Sequence, residues 1–237
     1  MKIGILWENF EPGGVTTHLE NLLNDKVFKS YEFVIFTNRT NKATLILKKK
    51  LKEKNVKFHY YHSLNVIFFK NIILKFIFFI LRPFLFFMSI IQFYFILKNY
   101  RFDILLAECG GYGDFRSEVS GILASNFLKF PTKLLLIHHS FTKPYIWNFL
   151  LRMIDYLINK SINGLIFVSK ATKKNIKLNT NLFSPKLKKK IIYNGVKNNP
   201  DDKSLKKINK LFKNSKTLKI GILSRVEKNK GREDLIN

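Results

Sequence analysis

A series of short apolar runs, each closed by a polar or glycine-containing turn, constrains this chain more than any other feature. They are IGILW (3–7), YEFVIFT (31–37), FDILLAE (102–108), LLLIHHS (134–140), GLIFVS (164–169) and the shorter KIIYNGV (190–196). Runs of this kind read as strands buried on both faces of a sheet. Helical patterns lie between several of them: VTTHLENLL from Val15, SEVSGILASNFL (117–128) and YIWNFLLRMIDYLINKSI (145–162). Strands alternating with helices predict an α/β fold, a parallel sheet with helices on both faces. Ligands of such sheets bind beyond the carboxyl ends of the strands. The residues just after each run are therefore the candidates for chemistry.

The texture changes after residue 197. NNPDDKSLKKINKLFKNSK (198–216) is polar and lysine-rich and reads as a linker with one short helix. A new strand, TLKIGIL (217–223), and SRVEKNKGREDLIN follow. A strand and the start of one helix cannot bury a core, so this piece reads as the beginning of a second, truncated domain.

Charge narrows the partners. The formal net charge of +26 concentrates anions around the chain, whether nucleic acid, an acidic membrane leaflet or phosphorylated substrates. Abundant Lys, Asn, Ile and Phe share A/T-rich codons, so part of this basicity reflects codon usage. The single cysteine, Cys109, excludes an internal disulfide framework and a cysteine-based zinc site. The first run is too short for the apolar core of a secretory signal, and Glu8 interrupts it; with the single cysteine this is compatible with the cytoplasm, where the chain is expected.

Residues 66–97, VIFFKNIILKFIFFILRPFLFFMSIIQFYFIL, resemble a membrane segment. Lys75 and Arg82-Pro83 break the run into halves shorter than the ~20 residues a span requires, and proline at 83 is expected to kink or end a helix. On a helical wheel Asn71, Lys75, Arg82 and Ser89 cluster with Gln92 beside them, leaving a very wide apolar face. That face is read as attachment to a membrane surface, with Lys75 and Arg82 meeting anionic lipid. A buried core helix and a true span are the alternatives.

Gly13-Gly14 follow the first run, yet neither GxGxxG nor GxxxxGK[ST] is present, and GGYGDF (110–115) lacks the third glycine. Two glycines before a helix let a backbone approach a phosphate closely, although an ordinary tight turn fits equally well. His138 and His139 are adjacent on a strand and face opposite sides, so they cannot readily chelate one metal together. One is expected at the crevice, the other in packing. No DxD or other close carboxylate pair occurs in the strand-end loops; Asp201-Asp202 sit in the linker. No metal site is therefore expected, and a diphosphate would need fixed cations. Arg225 and Lys230, directly after the last strand, offer these.

In this order PGGVTTHLENLL, FDILLAE, LLLIHHS, GLIFVSKATKKNI, IIYNGV and IGILSRVEKNKGREDLI resemble the front half of a family-4 glycosyltransferase of GT-B architecture. There two Rossmann-like domains face each other across a cleft. The resemblance covers nearly the whole chain. It implies a Rossmann-like acceptor-side domain over 1–197 and, over 217–237, the start of a nucleotide-sugar-binding domain. It also implies transfer of a sugar from a nucleotide-sugar, with retained anomeric configuration and no metal or cofactor. Gly13 and Gly14 match the glycine loop bordering the donor diphosphate and the acceptor. His139, in an H-S context, matches the histidine at the reaction centre, with His138 as the second match. Ser169 matches the serine of a V-S element, and Asn194-Gly195 match N-G-V. Arg225 and Lys230 match the cations that grip the diphosphate, with S-R here in place of G-R. The family's E-x7-E element falls beyond residue 237, so catalysis by these residues alone does not follow. The wide apolar helix fits a glycan or lipid-linked acceptor, such as a surface polysaccharide, at the inner membrane face.

Two rival readings stand beside this one. A basic α/β nucleic-acid binder would need aromatics interleaved with its cations on one face, whereas here the aromatics gather in the Phe-rich segment. A non-catalytic transferase remnant is the other.

Overall fold

A computed structural model describes residues 1–51, 55–64, 71–112, 115–139 and 148–195. The chain divides into two units, Met1–Gly195 and Val196–Asn237, and all described residues belong to the first. The expected linker, the strand at 217–223, Arg225 and Lys230 lie outside the described residues.

Seven strands form one parallel sheet: β1 (Lys2–Trp7), β2 (Glu32–Asn38), β3 (Val56–Tyr61), β4 (Ile104–Gly111), β5 (Thr132–His139), β6 (Gly164–Phe167) and β7 (Lys188–Ile191). Their spatial order is β3-β2-β1-β4-β5-β6-β7. The helices are α1 (Gly14–Leu23), α2 (Ala43–Lys50), α3 (Ile72–Leu97), α4 (Ser117–Ala124), α5 (Asn148–Ser161) and α6 (Lys170–Asn179). The α/β parallel sheet expected from the apolar runs is the fold observed. β3, VKFHYY, was not among the expected strands. It pairs only with β2 at the sheet edge, so it carries Lys57 and His59 in place of a continuous apolar run.

Alternation along each strand divides the core between the two faces. Ile3, Ile5 and Trp7 meet Val15, Leu19 and Leu23 of α1 and Leu47 of α2. On the opposite face Leu6, Leu105 and Ile137 meet residues of α3, α4 and α5, including Phe93, Ile122 and Ile158. Gly121 is the tightest point of the second face. A Cβ there would lie 2.5 Å from Leu6 Cδ1, 3.2 Å from Cδ2 and 3.4 Å from Cγ. Leu6 is itself buried, so rotating it clears nothing. Gly121→Val should cost about 2–3 kcal/mol through overpacking, seen as a melting temperature lower by roughly 5–10 °C.

The Phe-rich segment departs most from expectation. Pro83 does not end the helix: α3 runs unbroken for 26 residues. It starts at Asn71, whose side chain accepts from the Ile73 N–H at 2.8 Å. An interior proline loses one backbone hydrogen bond and crowds the preceding turn, at about 3 kcal/mol; packing of Phe86, Phe93 and Leu97 into the core on its carboxyl side offsets this. By length and composition α3 could cross a membrane. Its carboxyl half, however, is built into the domain.

From Arg82 onward the polar stripe faces inward. Ser89 is buried, Gln92 Nε2 donates to the His62 carbonyl at 3.1 Å, and the Arg82 guanidinium lies 5.8 Å from the centre of the Phe115 ring. Arg82, expected at a lipid headgroup, is thus turned onto the domain. It stands four residues before Phe86 and seven before Ser89, on the buried side. The outward face is apolar instead: Ile73, Ile77, Ile80, Phe84, Phe87, Ile91 and Phe95 recur at helical spacing and are all exposed. Lys75 is exposed near the amino end.

Strand order reverses between β1, which leads outward to β2 and β3, and β4, which leads the other way. The crevice at such a switch point, at the carboxyl ends, is where a ligand site forms.

Candidate functional site at the β1–β4 switch point

Gly13 is the cap of α1, with φ −171° and ψ −164°, an extended conformation open to any residue. Its N–H donates to Thr16 Oγ1 at 3.3 Å. Gly13 and Gly14 are both exposed, and a Cβ on either would meet nothing within 4 Å. Neither backbone strain nor packing within the described residues therefore calls for glycine. What the pair does provide is an uncovered approach to the first turn of α1.

One turn further along α1, His18 turns toward the sheet. Its Nδ1 lies 2.7 Å from Glu108 Oε1, and His138 Nε2 lies 2.8 Å from the same oxygen. The two imidazoles meet edge to face at 4.9 Å between centroids. Register explains the meeting. Glu108 on β4 pairs with Leu136 on β5, so His138 stands two residues on, pointing to the same face as Glu108 and α1. Burial pushes the Glu108 carboxyl up, but hydrogen bonds from both histidines and their charges bring it below its usual range. Burial pulls the His18 imidazole down, and the hydrogen bond and charge of Glu108 outweigh that and raise it. The carboxylate is fully enclosed, while the His18 side chain keeps 17% of its surface open.

The ligand atoms of this trio lie within 4.8 Å of one another, the one grouping among the described residues with spacing for a metal ion. No such site was expected, because adjacent histidines, close carboxylate pairs and cysteines were weighed, whereas these three residues are brought together from α1, β4 and β5. A tetrahedral ion with ligands at about 2.0–2.1 Å holds them roughly 3.3 Å apart. The observed 2.7 and 2.8 Å contacts converge on one oxygen and are hydrogen-bond lengths. The trio is a hydrogen-bonded network.

Across the sheet, the same edge carries a carboxyl pair. Glu8, just after β1, and Glu118, in the first turn of α4, are both buried. The Glu8 N–H donates to Glu118 Oε1 at 3.1 Å, and Ser117 Oγ donates to Glu8 Oε1 at 2.8 Å. Burial, then the neighbouring Glu8 carboxylate, push Glu118 up to about 8. Sequence showed no close carboxylate pair in the strand-end loops; the fold makes one from residues 110 apart.

The other expected residues are placed as follows. His139 ends β5, exposed, on the face opposite His138. Ser169 caps α6, its Oγ accepting from the Thr172 N–H at 3.0 Å. Asn194 and Gly195 lie exposed after β7, and the Gly195 carbonyl accepts from Asn21 of α1 at 3.3 Å. His18 and Glu108 were missed. The available signal was a glutamate inside an apolar strand run, which buries a charge only with a partner.

Among solved structures, the chain is similar to HepE of Anabaena in complex with UDP, at 16% identity and a TM-score of 0.57, covering 90% of this chain and 50% of that one. The fold is of the GT-B, Rossmann-like type. HepE in complex with UDP and glucose, and with UDP-glucose, matches with the same identity and coverage at TM-scores of 0.53. The chain thus spans about half the length of these structures. No family model matches the sequence, and no curated protein does.

Proposed function

We propose that this chain is the acceptor-side part of a glycosyltransferase that moves a sugar from a nucleotide-sugar to a glycan or lipid-linked acceptor at the cytoplasmic face of the membrane. One observation carries the reading. The glycine-opened start of α1 and a buried carboxylate–imidazole network meet at the switch point of a GT-B domain, whose structural neighbour is solved with UDP and UDP-glucose. The positive end of α1 favours a phosphate there. Arg225 and Lys230 are the cations assigned to the leaving diphosphate, in place of a metal. His139, Ser169, Asn194 and Gly195 are assigned to the sugar and acceptor side. The outward face of α3, with Lys75 at its amino end, is assigned to an anionic membrane surface.

The test is a panel of nucleotide-sugars, UDP-glucose first, offered to the complete gene product with binding and donor turnover as readouts. Arg225→Ala should lower turnover about 30- to 1,000-fold, the 2–4 kcal/mol scale of a lost charge-stabilising donor. If no donor binds, or if Arg225→Ala behaves as the unaltered protein, the reading fails. Salt-sensitive RNA binding without vesicle binding would favour the nucleic-acid alternative.

A further inference from the structure

We propose that a basic pocket at the amino edge of the sheet, lined by Lys98, Arg101 and Lys129, binds the phosphate of an anionic phospholipid headgroup. This rests on the membrane part of the reading above and names the lipid chemistry and its point of contact.

Connectivity brings the cations together. The chain leaves β3 at its carboxyl end, returns along α3 and enters β4 at its amino end. The carboxyl terminus of α3 therefore lies at the sheet edge opposite the crevice. The short 3-10 turn after α4 (Ser125–Phe127) delivers the segment that enters β5 to the same edge. Between the two segments lies a pocket of about 560 Å³, lined by Lys98, Tyr100, Arg101, Phe102, Lys129 and Phe130 among others.

The charge there is unbalanced. Lys98, Arg101 and Lys129 are exposed, and among the described residues none of them forms an ion pair. The lining carboxylate, Asp103, accepts the Lys2 backbone N–H on its Oδ2 at 2.7 Å. The Lys2 ammonium adds a fourth cation, 5.8 and 5.9 Å from the Tyr100 and Phe102 ring centres. Like charges gathered around one pocket repel, and an anion placed among them relieves this. A guanidinium presents a planar fork to two phosphate oxygens, and the ammonium groups add point charges beside it.

The surroundings identify what carries the phosphate. Lys98 stands three residues after Phe95 and seven after Ile91, on the outward apolar side of α3, where Arg82 does not reach. Its Nζ lies 4.6 Å from the centre of the exposed Phe95 ring. Phe127, 74% exposed, extends the apolar row and lies 6.2 Å from Tyr94 between ring centres. Aromatic rings and cations closing an apolar face suit the boundary between acyl chains and headgroups. A nucleic acid suits it less. Tyr100 and Phe102 stack on each other at 5.4 Å and 9°, so the slot between them is closed to a base. Such a partner would also leave the apolar row in water.

The experiment uses the complete gene product and co-sedimentation with equimolar phosphatidylglycerol–phosphatidylcholine vesicles at physiological salt. The unaltered protein should bind. The triple variant Lys98→Gln, Arg101→Gln, Lys129→Gln should bind about 100-fold more weakly, the combined effect of three cations near an anionic surface. Its thermal unfolding should be unchanged, because all three side chains are exposed. Removing the same charge from α6, with Lys170, Lys174 and Lys177 changed to glutamine, should alter binding less than about threefold. An equal loss in both variants would show diffuse attraction of a basic protein and overturn the proposal. In the unaltered protein, vesicles should slow amide hydrogen exchange in residues 98–103 and 127–130; unchanged exchange there would overturn it as well. Inorganic phosphate that protects these amides as strongly as vesicles do would assign the pocket to a soluble phosphate. Oligouridine binding lost in the triple variant, with vesicle binding retained, would assign it to RNA. Either result overturns the lipid assignment. Full vesicle binding by the triple variant strikes this proposal alone. No vesicle binding by the unaltered protein strikes it together with the membrane part of the reading, while turnover of a nucleotide-sugar tests the transferase part separately.

Discussion

Changing Phe76, Ile80 and Phe84 together to glutamate should abolish binding to anionic vesicles and leave thermal unfolding nearly unchanged. The three side chains are 64%, 51% and 58% exposed, so the folded domain gains little from them. Exposed substitutions away from special features usually stay within about 0.5 kcal/mol each. In a bilayer interface the same side chains would be buried, each contributing about 1.5–3 kcal/mol. Losing three and adding three negative charges near anionic lipid should weaken binding more than 1,000-fold. Co-sedimentation with phosphatidylglycerol vesicles measures this. The unaltered protein should bind, with weaker binding at high salt because its charge is strongly positive. Triple-variant binding at full strength, or no binding by the unaltered chain, would remove α3 from the membrane. Phe93→Glu is the contrasting variant. Phe93 is fully buried on the opposite side of the same helix and packs on Tyr61 at 4.9 Å between ring centres, so this change should unfold the domain.

Glu118→Gln should reverse the alkaline weakening of the fold. With Glu118 raised from 4.5 to about 8, the folded chain holds a proton that the unfolded chain has released. Stability is therefore fully present below about pH 4.5, falls as pH rises toward 8, and stays low above it. A glutamine keeps the oxygen that accepts the Glu8 N–H but cannot ionise. The variant should unfold at nearly the same urea concentration as the unaltered protein at pH 5. At pH 9 it should be more stable by up to about 5 kcal/mol. A stability difference independent of pH would show that Glu118 is not the responsible group. The Glu108 network contributes with the opposite sign on its acid side: a carboxyl held below its usual range gives stability that is lost as pH falls. The two carboxyls thus weaken the fold at opposite ends of the pH range.

Much of the architecture was legible without coordinates. The expected apolar runs correspond to β1, β2, β4, β5 and β6, because a strand covered on both faces has to be apolar throughout, whereas the edge strand β7 is lysine-rich and shares only residues 190 and 191 with the run expected there. β3 escaped because an edge position releases it from that demand. Pro83 misled because local propensity was weighed without the core contacts of Phe86, Phe93 and Leu97 that carry the helix past it. The place of Gly13 and Gly14 between β1 and α1 could be read from the order of run, turn and helix, and the opposed directions of His138 and His139 from strand alternation.

Residue types and their periods fixed what was local: which segments are strands, which are helices, and that functional groups would gather after the strands. Pairing in space was decided by the tertiary structure alone. His18 and Glu108 are 90 residues apart, and Glu8 and Glu118 are 110 apart. Only the β4–β5 register and the placing of α1 and α4 on their respective faces bring each pair within hydrogen-bond reach. The direction of the α3 stripe was decided in the same way. A helical wheel shows that two faces differ, but which one meets the protein depends on what the sheet and α4 offer it. Periodicity follows from covalent geometry and belongs to each segment by itself, whereas a buried charge pair exists only when folding has removed the water between its members.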